Sequence, residues 1–245
     1  MKPLFLLSLA SCSANTPISL PDVSSLTGKT YALHQTNEQP AAVVIFLDEH
    51  AKTVNEKGQY VVHHPGVLVQ ERQYTNYQHL YSQGIHSLYI ESIATNQDAQ
   101  ELVTNSLLFL KDKGFVKDTL EENLGVAPLD LPELLTLDYG KNVSLYGIES
   151  QESITKQQQV VFSSPPSCAD LEWLIIGRSQ DIANNSVMFS RNLKKSVIVT
   201  IGWEHAASLK EALDTLKTDY VIIDPLLQPP KKTVLEQIET CRLKD

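Results

Sequence analysis

Long apolar runs are missing from this 245-residue chain. None approaches the ~18 to 20 residues that a membrane-spanning helix needs, so a polytopic membrane protein is excluded. Basic charge is scarce too: 20 Lys+Arg stand against 29 Asp+Glu, for a formal charge of -9. The only adjacent lysine pairs are Lys194-Lys195 and Lys231-Lys232. A chain without a basic patch or stripe lacks what a phosphate backbone requires, so no nucleic-acid partner is expected. Ten glycines and 12 prolines are too few for collagen-like or low-complexity material. Three cysteines do not make a disulfide scaffold, and at this length an ordinary apolar core forms without one. Several catalytic signatures are missing as well: there is no G-x-S-x-G elbow, Walker A loop, H-E-x-x-H or G-x-G-x-x-G.

What the N-terminus does contain is a targeting pattern. Met1-Lys2-Pro3 supplies a short positive region, Leu4 to Leu9 an apolar one, and Leu9-Ala10-Ser11-Cys12 a small-residue cleavage site. This resembles the bacterial lipobox, which implies removal of residues 1–11 and acylation of Cys12; a plain secretory signal is the rival. Ser13 after the cysteine resembles the outer-membrane default, so a lipid-anchored protein of the cell envelope facing the periplasm is expected. Residues 12–30, rich in Ser, Thr, Pro and Asn, read as a flexible tether. In an oxidising space Cys168 and Cys241 remain as an even pair, and both a disulfide and two unrelated buried thiols are open.

The rest, 31–245, reads as a single α/β domain. Ala42 to Leu47, Ser87 to Ile90, Val143 to Tyr146, Ser196 to Ile201 and Tyr220 to Ile223 are short apolar runs rich in β-branched and aromatic residues. Helical patterns fall between them at about 67–83, 98–113, 131–137, 168–194 and 206–217. This alternation predicts a mainly parallel sheet with helices on both faces. Gly58 suggests an irregular excursion or hairpin, 233–243 a terminal helix, and 51–66, 92–140 and 150–170 the loops that carry pocket walls.

In such a sheet, ligands bind beyond the carboxyl ends of the strands. There the five runs deliver Asp48-Glu49-His50, Glu91, Gly147-Ile148-Glu149, Gly202-Trp203-Glu204-His205 and Asp224. A carboxylate at a single strand end is usually a cap for the next helix. Several together with two histidines need a metal, a proton or an arginine to offset their charge. Arg178 shares a helical stripe with Leu171, Leu174, Ile175 and Ile182, so a core-facing guanidinium pairing with Glu91 or Glu149 is expected, the rival being a partly exposed stripe from which Arg178 snorkels to water. Tyr74, Tyr77 and Tyr81 recur at helical spacing as core or as a groove wall. His34, His79 and His86 have no partner at ligand spacing.

These strand ends, with Leu145 to Glu149, Arg178 and Val199 to His205, resemble the TraB/Tiki and erythromycin-esterase/ChaN-like clan over about residues 42–224. The resemblance implies a metal-dependent hydrolase of peptidase or esterase type, acting on a peptide or small molecule. Its site would have His50, Glu91 and His205 holding a divalent transition metal, and Glu149, Arg178 and Glu49 as catalytic groups. It also implies a metal-free alternative, a histidine base oriented by a glutamate, and, from the ChaN branch, a non-catalytic haem-binding lipoprotein or an inactive scaffold. Leu47 stands where the clan carries glycine, which favours the non-catalytic class.

Overall fold

In a computed structural model, the chain is described over residues 17–55, 59–162 and 167–225, with Ile238 and Cys241 beyond them. The elements in chain order are β1 (Lys29–His34), β2 (Ala42–Asp48), β3 (Lys52–Val54), β4 (Tyr60–Val62), α1 (His64–Ser82), β5 (Ser87–Ala94) and α2 (Ala99–Asp112). There follow α3 (Leu120–Asn123), α4 (Leu131–Tyr139), β6 (Ser144–Glu149), α5 (Gln151–Phe162), α6 (Cys168–Glu172), α7 (Arg178–Leu193), β7 (Val197–Gly202), α8 (Ala206–Thr215) and β8 (Asp219–Asp224).

All five predicted runs form strands of one sheet, in the order β1-β8-β2-β7-β5-β6. The five from β8 to β6 are parallel, and β1 lies antiparallel on the β8 edge. The strands are apolar throughout because alternate residues enter two cores. Val44, Phe46, Leu88 and Ile198 pack on one face with Tyr77, Leu107 and Leu135 of α1, α2 and α4. Val43, Ile45, Val199 and Ile222 pack on the other with Ile182 and Val187 of α7 and Leu209 of α8. The domain is therefore α/β with a mostly parallel central sheet covered on both faces. Gly58 lies outside the described residues, but β3 and β4 on either side of it pair as a small antiparallel hairpin.

Three expectations are corrected. The segment from 17 onward is not a tether: Ile18 and Leu20 are buried in the first core. Its backbone is also tied down, with the Ile18 N–H on the Gln39 carbonyl and the Ser196 hydroxyl on the Ser19 carbonyl. Two apolar residues in a polar stretch are enough to dock it, because each buried side chain contributes roughly 1.5–3 kcal/mol. The predicted loops at 92–140 and 150–170 contain the helices α3 and α5. In α5 only Ser153, Ile154 and Val160 are buried, too few to print an apolar stripe on a glutamine-rich segment. The signal segment 1–11 and Cys12 lie outside the described residues, as does most of 233–243. Cys168 and Cys241 are joined in a disulfide, with Cα atoms 5.8 Å apart.

Candidate active site

The carboxyl edge of the sheet carries two polar clusters. The first starts from an irregularity in β5, whose register with β6 shifts between Ile90 and Ala94. Ser92 sits there with φ of 63°, a conformation that costs a non-glycine residue about 1 kcal/mol or more. The bulge folds over Gly147, where a Cβ would lie 2.3 Å from the Ala94 carbonyl oxygen, so β6 tolerates only glycine at that point. This bend carries Glu91 and Ser92 inward, and the Ser92 N–H donates to Glu149 Oε1 at 2.7 Å.

Arg178 meets them from the far side. Its Nε donates to Glu149 Oε2 at 2.9 Å, and one Nη donates to Glu149 Oε1 and Glu91 Oε1, both at 2.7 Å. Both expected partners are thus engaged by one guanidinium. The other Glu91 oxygen accepts the Gly202 N–H at 2.5 Å, and His205 Nε2 lies 3.4 Å from Oε1. A π-helical turn, Trp173–Gly177, interrupts the helix just before Arg178. Such a turn breaks the regular ladder, and here the Ile175 carbonyl oxygen accepts from the Ser179 hydroxyl and faces His205 Nδ1 at 3.2 Å. Burial alone would raise the Glu91 carboxyl; His205, Arg178 and the Gly202 amide outweigh it and hold it well below the ordinary carboxylate range.

The second cluster gathers around His50, at the end of β2. Its Nδ1 is 3.3 Å from Asp130 Oδ2 and 3.9 Å from Asp48 Oδ2, while 72% of the side chain is exposed. Among the described residues its Nε2 has no partner. The N-terminal turn of α1 presses on this loop at Gly66, where a Cβ would come within 2.0 Å of the His50 carbonyl oxygen. Asp130 opens α4 and is shared with Lys52, whose ammonium donates at 2.7 Å both to it and to buried Glu133. Asp48 is held by the amide of Gln70, and the buried Gln73 amide donates to the Leu47 carbonyl oxygen at 2.8 Å. Burial, with the Asp130 charge, pushes the Asp48 carboxyl up to about 6. The bond to Asp130 pulls the His50 imidazole up to about 9, an effect that solvent around so exposed a ring weakens. A cavity of about 260 Å³ opens beside Lys52, Asp130 and Glu133, walled by Ile90, Ile93, Leu102, Val103, Ser106 and Pro132.

The expected ligand set does not assemble. Glu91 has both oxygens occupied by Arg178, His205 and the Gly202 amide, while His205 is buried with Nδ1 turned to Ser179 and Ile175. His50 belongs to the other cluster. A guanidinium already supplies the positive charge beside Glu91, so a divalent ion there would be repelled by Arg178 and would have to displace its hydrogen bonds. These residues do not fit the metal. Glu149 and Arg178 are together as expected. Glu49 is not with them: it faces His63, 3.5 Å away. Tyr74 and Tyr77 are core, and Tyr81 stacks on His86, so that stripe forms no groove wall for haem. Asp130, Lys52 and Glu133 were missed because D-L-P-E reads as a helix cap, a role it also performs through the Glu133 carboxylate on the Asp130 N–H. Asp48 leaves the same strand end as Glu49 and His50, and the resemblance points to those two instead.

No family model matches the chain, and no curated protein is detectably similar to it. Among solved structures it is similar to one described as the structure of the type III effector HopBA1, at 13% identity and a TM-score of 0.37. That match covers 64% of this chain and spans about two thirds, 65%, of the other.

Proposed function

We propose that the protein is a hydrolase of ester or amide bonds that works by proton transfer from the His50 cluster, without a metal. The observation that carries this reading is the meeting of Asp48, His50 and Asp130 at the strand ends beside a cavity, with one carboxyl titrating near neutrality. Above about pH 6, Asp48 is a carboxylate and takes a proton from a water molecule, whose oxygen adds to the substrate carbonyl carbon. His50, kept cationic by Asp130, hydrogen-bonds the developing oxyanion and gives its proton to the leaving oxygen or nitrogen as the tetrahedral intermediate breaks. The proton on Asp48 then returns to the imidazole through solvent, restoring both groups. Arg178, Glu149, Glu91 and His205 hold the bulge of β5 and the start of α8 in place around this centre.

The lipobox supports an envelope anchor. If Cys12 is acylated, the chain reaches buried Ile18 within about six residues, ~20 Å at full extension. Ile18 docks beside Gln39, and Ser19 beside Ser196, both preceding their strands, so the described chain starts at the amino edge of the sheet. The His50 cluster lies at the opposite, carboxyl edge.

The test is turnover of short p-nitrophenyl esters and anilides by the mature protein after exhaustive chelation. Wild type is expected to hydrolyse at least one, with activity rising through about pH 6, and His50→Gln to lose ~100-fold or more. Activity that returns only with added metal, or that His50→Gln retains, would overturn the reading.

A further inference from the structure

The cavity beside the His50 cluster specifies more than its own existence. Its upper wall is aliphatic, made by Ile90, Ile93, Leu102, Val103 and Pro132. Its floor is charged but closed on itself: one ammonium, Lys52, lies between two carboxylates, Asp130 and Glu133, with Nζ 2.7 Å from each. Ser106, the remaining polar wall, donates its hydroxyl to Glu133 at 2.5 Å. The floor therefore carries one more negative charge than positive, and at pH 7.5 the carboxylate of Asp48 offsets the cationic His50 on the far side of Asp130, so a ligand carboxylate placed on the floor would be repelled and stripped of water without compensation. A neutral acceptor meets the opposite situation. An ammonium has three donors, two of Lys52's are spent on the carboxylates, and no described group takes the third. At about 260 Å³ the space is below the ~300 Å³ at which pockets for drug-sized ligands begin, so it admits a short chain or small ring only.

We infer that this cavity is the specificity pocket for a short, uncharged aliphatic acyl group, whose carbonyl oxygen accepts from Lys52 while its chain lies against Ile93 and Val103. The assignment rests on the hydrolase reading for its link to turnover, but ligand binding can be measured without turnover. Asp130 ties the two together: one oxygen, Oδ2, serves both Lys52 under the pocket and His50 beside it. A carbonyl bound on Lys52 is thereby brought next to the imidazole that answers to the same carboxylate. The site selects a neutral acyl donor over the free acid it becomes, so the product is expelled by the charge it acquires on hydrolysis.

Ligand-observed NMR titration with hexanamide and with hexanoate tests this directly. Wild type is expected to bind hexanamide at least tenfold more tightly than hexanoate at pH 7.5. Val103→Phe, which fills the aliphatic wall, is expected to weaken hexanamide at least tenfold. Leu102→Lys, at a half-exposed position on the rim where folding is not at risk, adds a positive charge and is expected to narrow the preference for the amide at least threefold. Hexanoate binding as tightly as hexanamide to wild type, or a preference unmoved by Leu102→Lys, overturns the inference, as does a folded Val103→Phe that binds like wild type. The hydrolase reading fails separately: selective hexanamide binding with no ester or anilide turned over removes that reading and leaves the pocket. Turnover indifferent to acyl chain length, with no hexanamide binding, removes the pocket and leaves the hydrolase.

Discussion

The two clusters at the carboxyl edge of the sheet use the same residue types to opposite ends. Around Arg178, a guanidinium, two glutamates and a histidine pack together largely out of water, with Glu149 fully buried and the Arg178 and Glu91 side chains 6% and 19% exposed. Both Glu149 oxygens and both Glu91 oxygens accept hydrogen bonds, and the cation cannot shed its proton in any ordinary pH range. Around His50, two aspartates and a lysine surround a ring that is mostly in solvent, and one carboxyl titrates near pH 6. Charges that are saturated with partners and dry fix geometry. Charges that can change proton state beside a cavity can do chemistry.

Breaking the dry cluster should cost the most. Arg178→Met leaves the Glu149 carboxylate buried without its cation, and the loss expected in urea unfolding is ~3–5 kcal/mol. Adding Glu149→Leu should recover more than half of that, because the penalty lies in the orphaned charge rather than in a missing attraction. A single-variant loss under ~1 kcal/mol would mean the network is hydrated, and the contrast with the His50 cluster would collapse.

The wet cluster predicts an effect of the other sign. Folding raises the Asp48 carboxyl from 3.8 to about 6, so the folded state favours its neutral form. That contribution is complete below pH 4 and is lost as pH climbs through 6. Asp48→Asn, which cannot ionise, should therefore be more stable than wild type by ~2 kcal/mol at pH 7.5 and no more stable at pH 4. Its hydrolytic activity should fall ~100-fold or more, since the proposed base is gone. Stability curves measured at the two pH values decide it: an equal effect at both would show that burial does not destabilise the charged form.

Strands and the buried arginine were legible because each depends on local pattern. An apolar run of four to six residues between polar turns has few other fates than a buried strand, and a cation on an apolar stripe must find an anion. The three expected metal ligands are kept apart for a reason periodicity does not contain. His50, Glu91 and His205 all leave the carboxyl edge, but β7 separates β2 from β5, and the bulge at Ser92 turns Glu91 towards Arg178. Neither the strand order nor the bulge is written in the spacing of those residues. Asp130 and Lys52 were invisible as a pair because 78 residues separate them and each has a complete local explanation, one as a helix cap and the other as a hairpin lysine. The edge strand β1 leaves no mark in the sequence because five of its six residues are exposed and give it no apolar run.

The smallest effect is the sharpest check on which carboxylate acts. Glu49 adjoins both Asp48 and His50 in sequence and reads equally well as the acid of the site, yet its side chain is a third exposed and faces His63 at 3.5 Å. Pairs of that kind contribute ~0–1 kcal/mol. Glu49→Gln should therefore change unfolding free energy by less than ~0.5 kcal/mol and ester turnover by less than about twofold, with the rise through pH 6 kept. Asp48 is the last residue of β2 and Glu49 the first beyond it, so one position separates a carboxyl 12% exposed beside the imidazole from one 34% exposed that faces His63. If Glu49→Gln lost as much turnover as Asp48→Asn, the base would move by that one position, and the wet cluster would owe its chemistry to the more exposed of the two carboxyls.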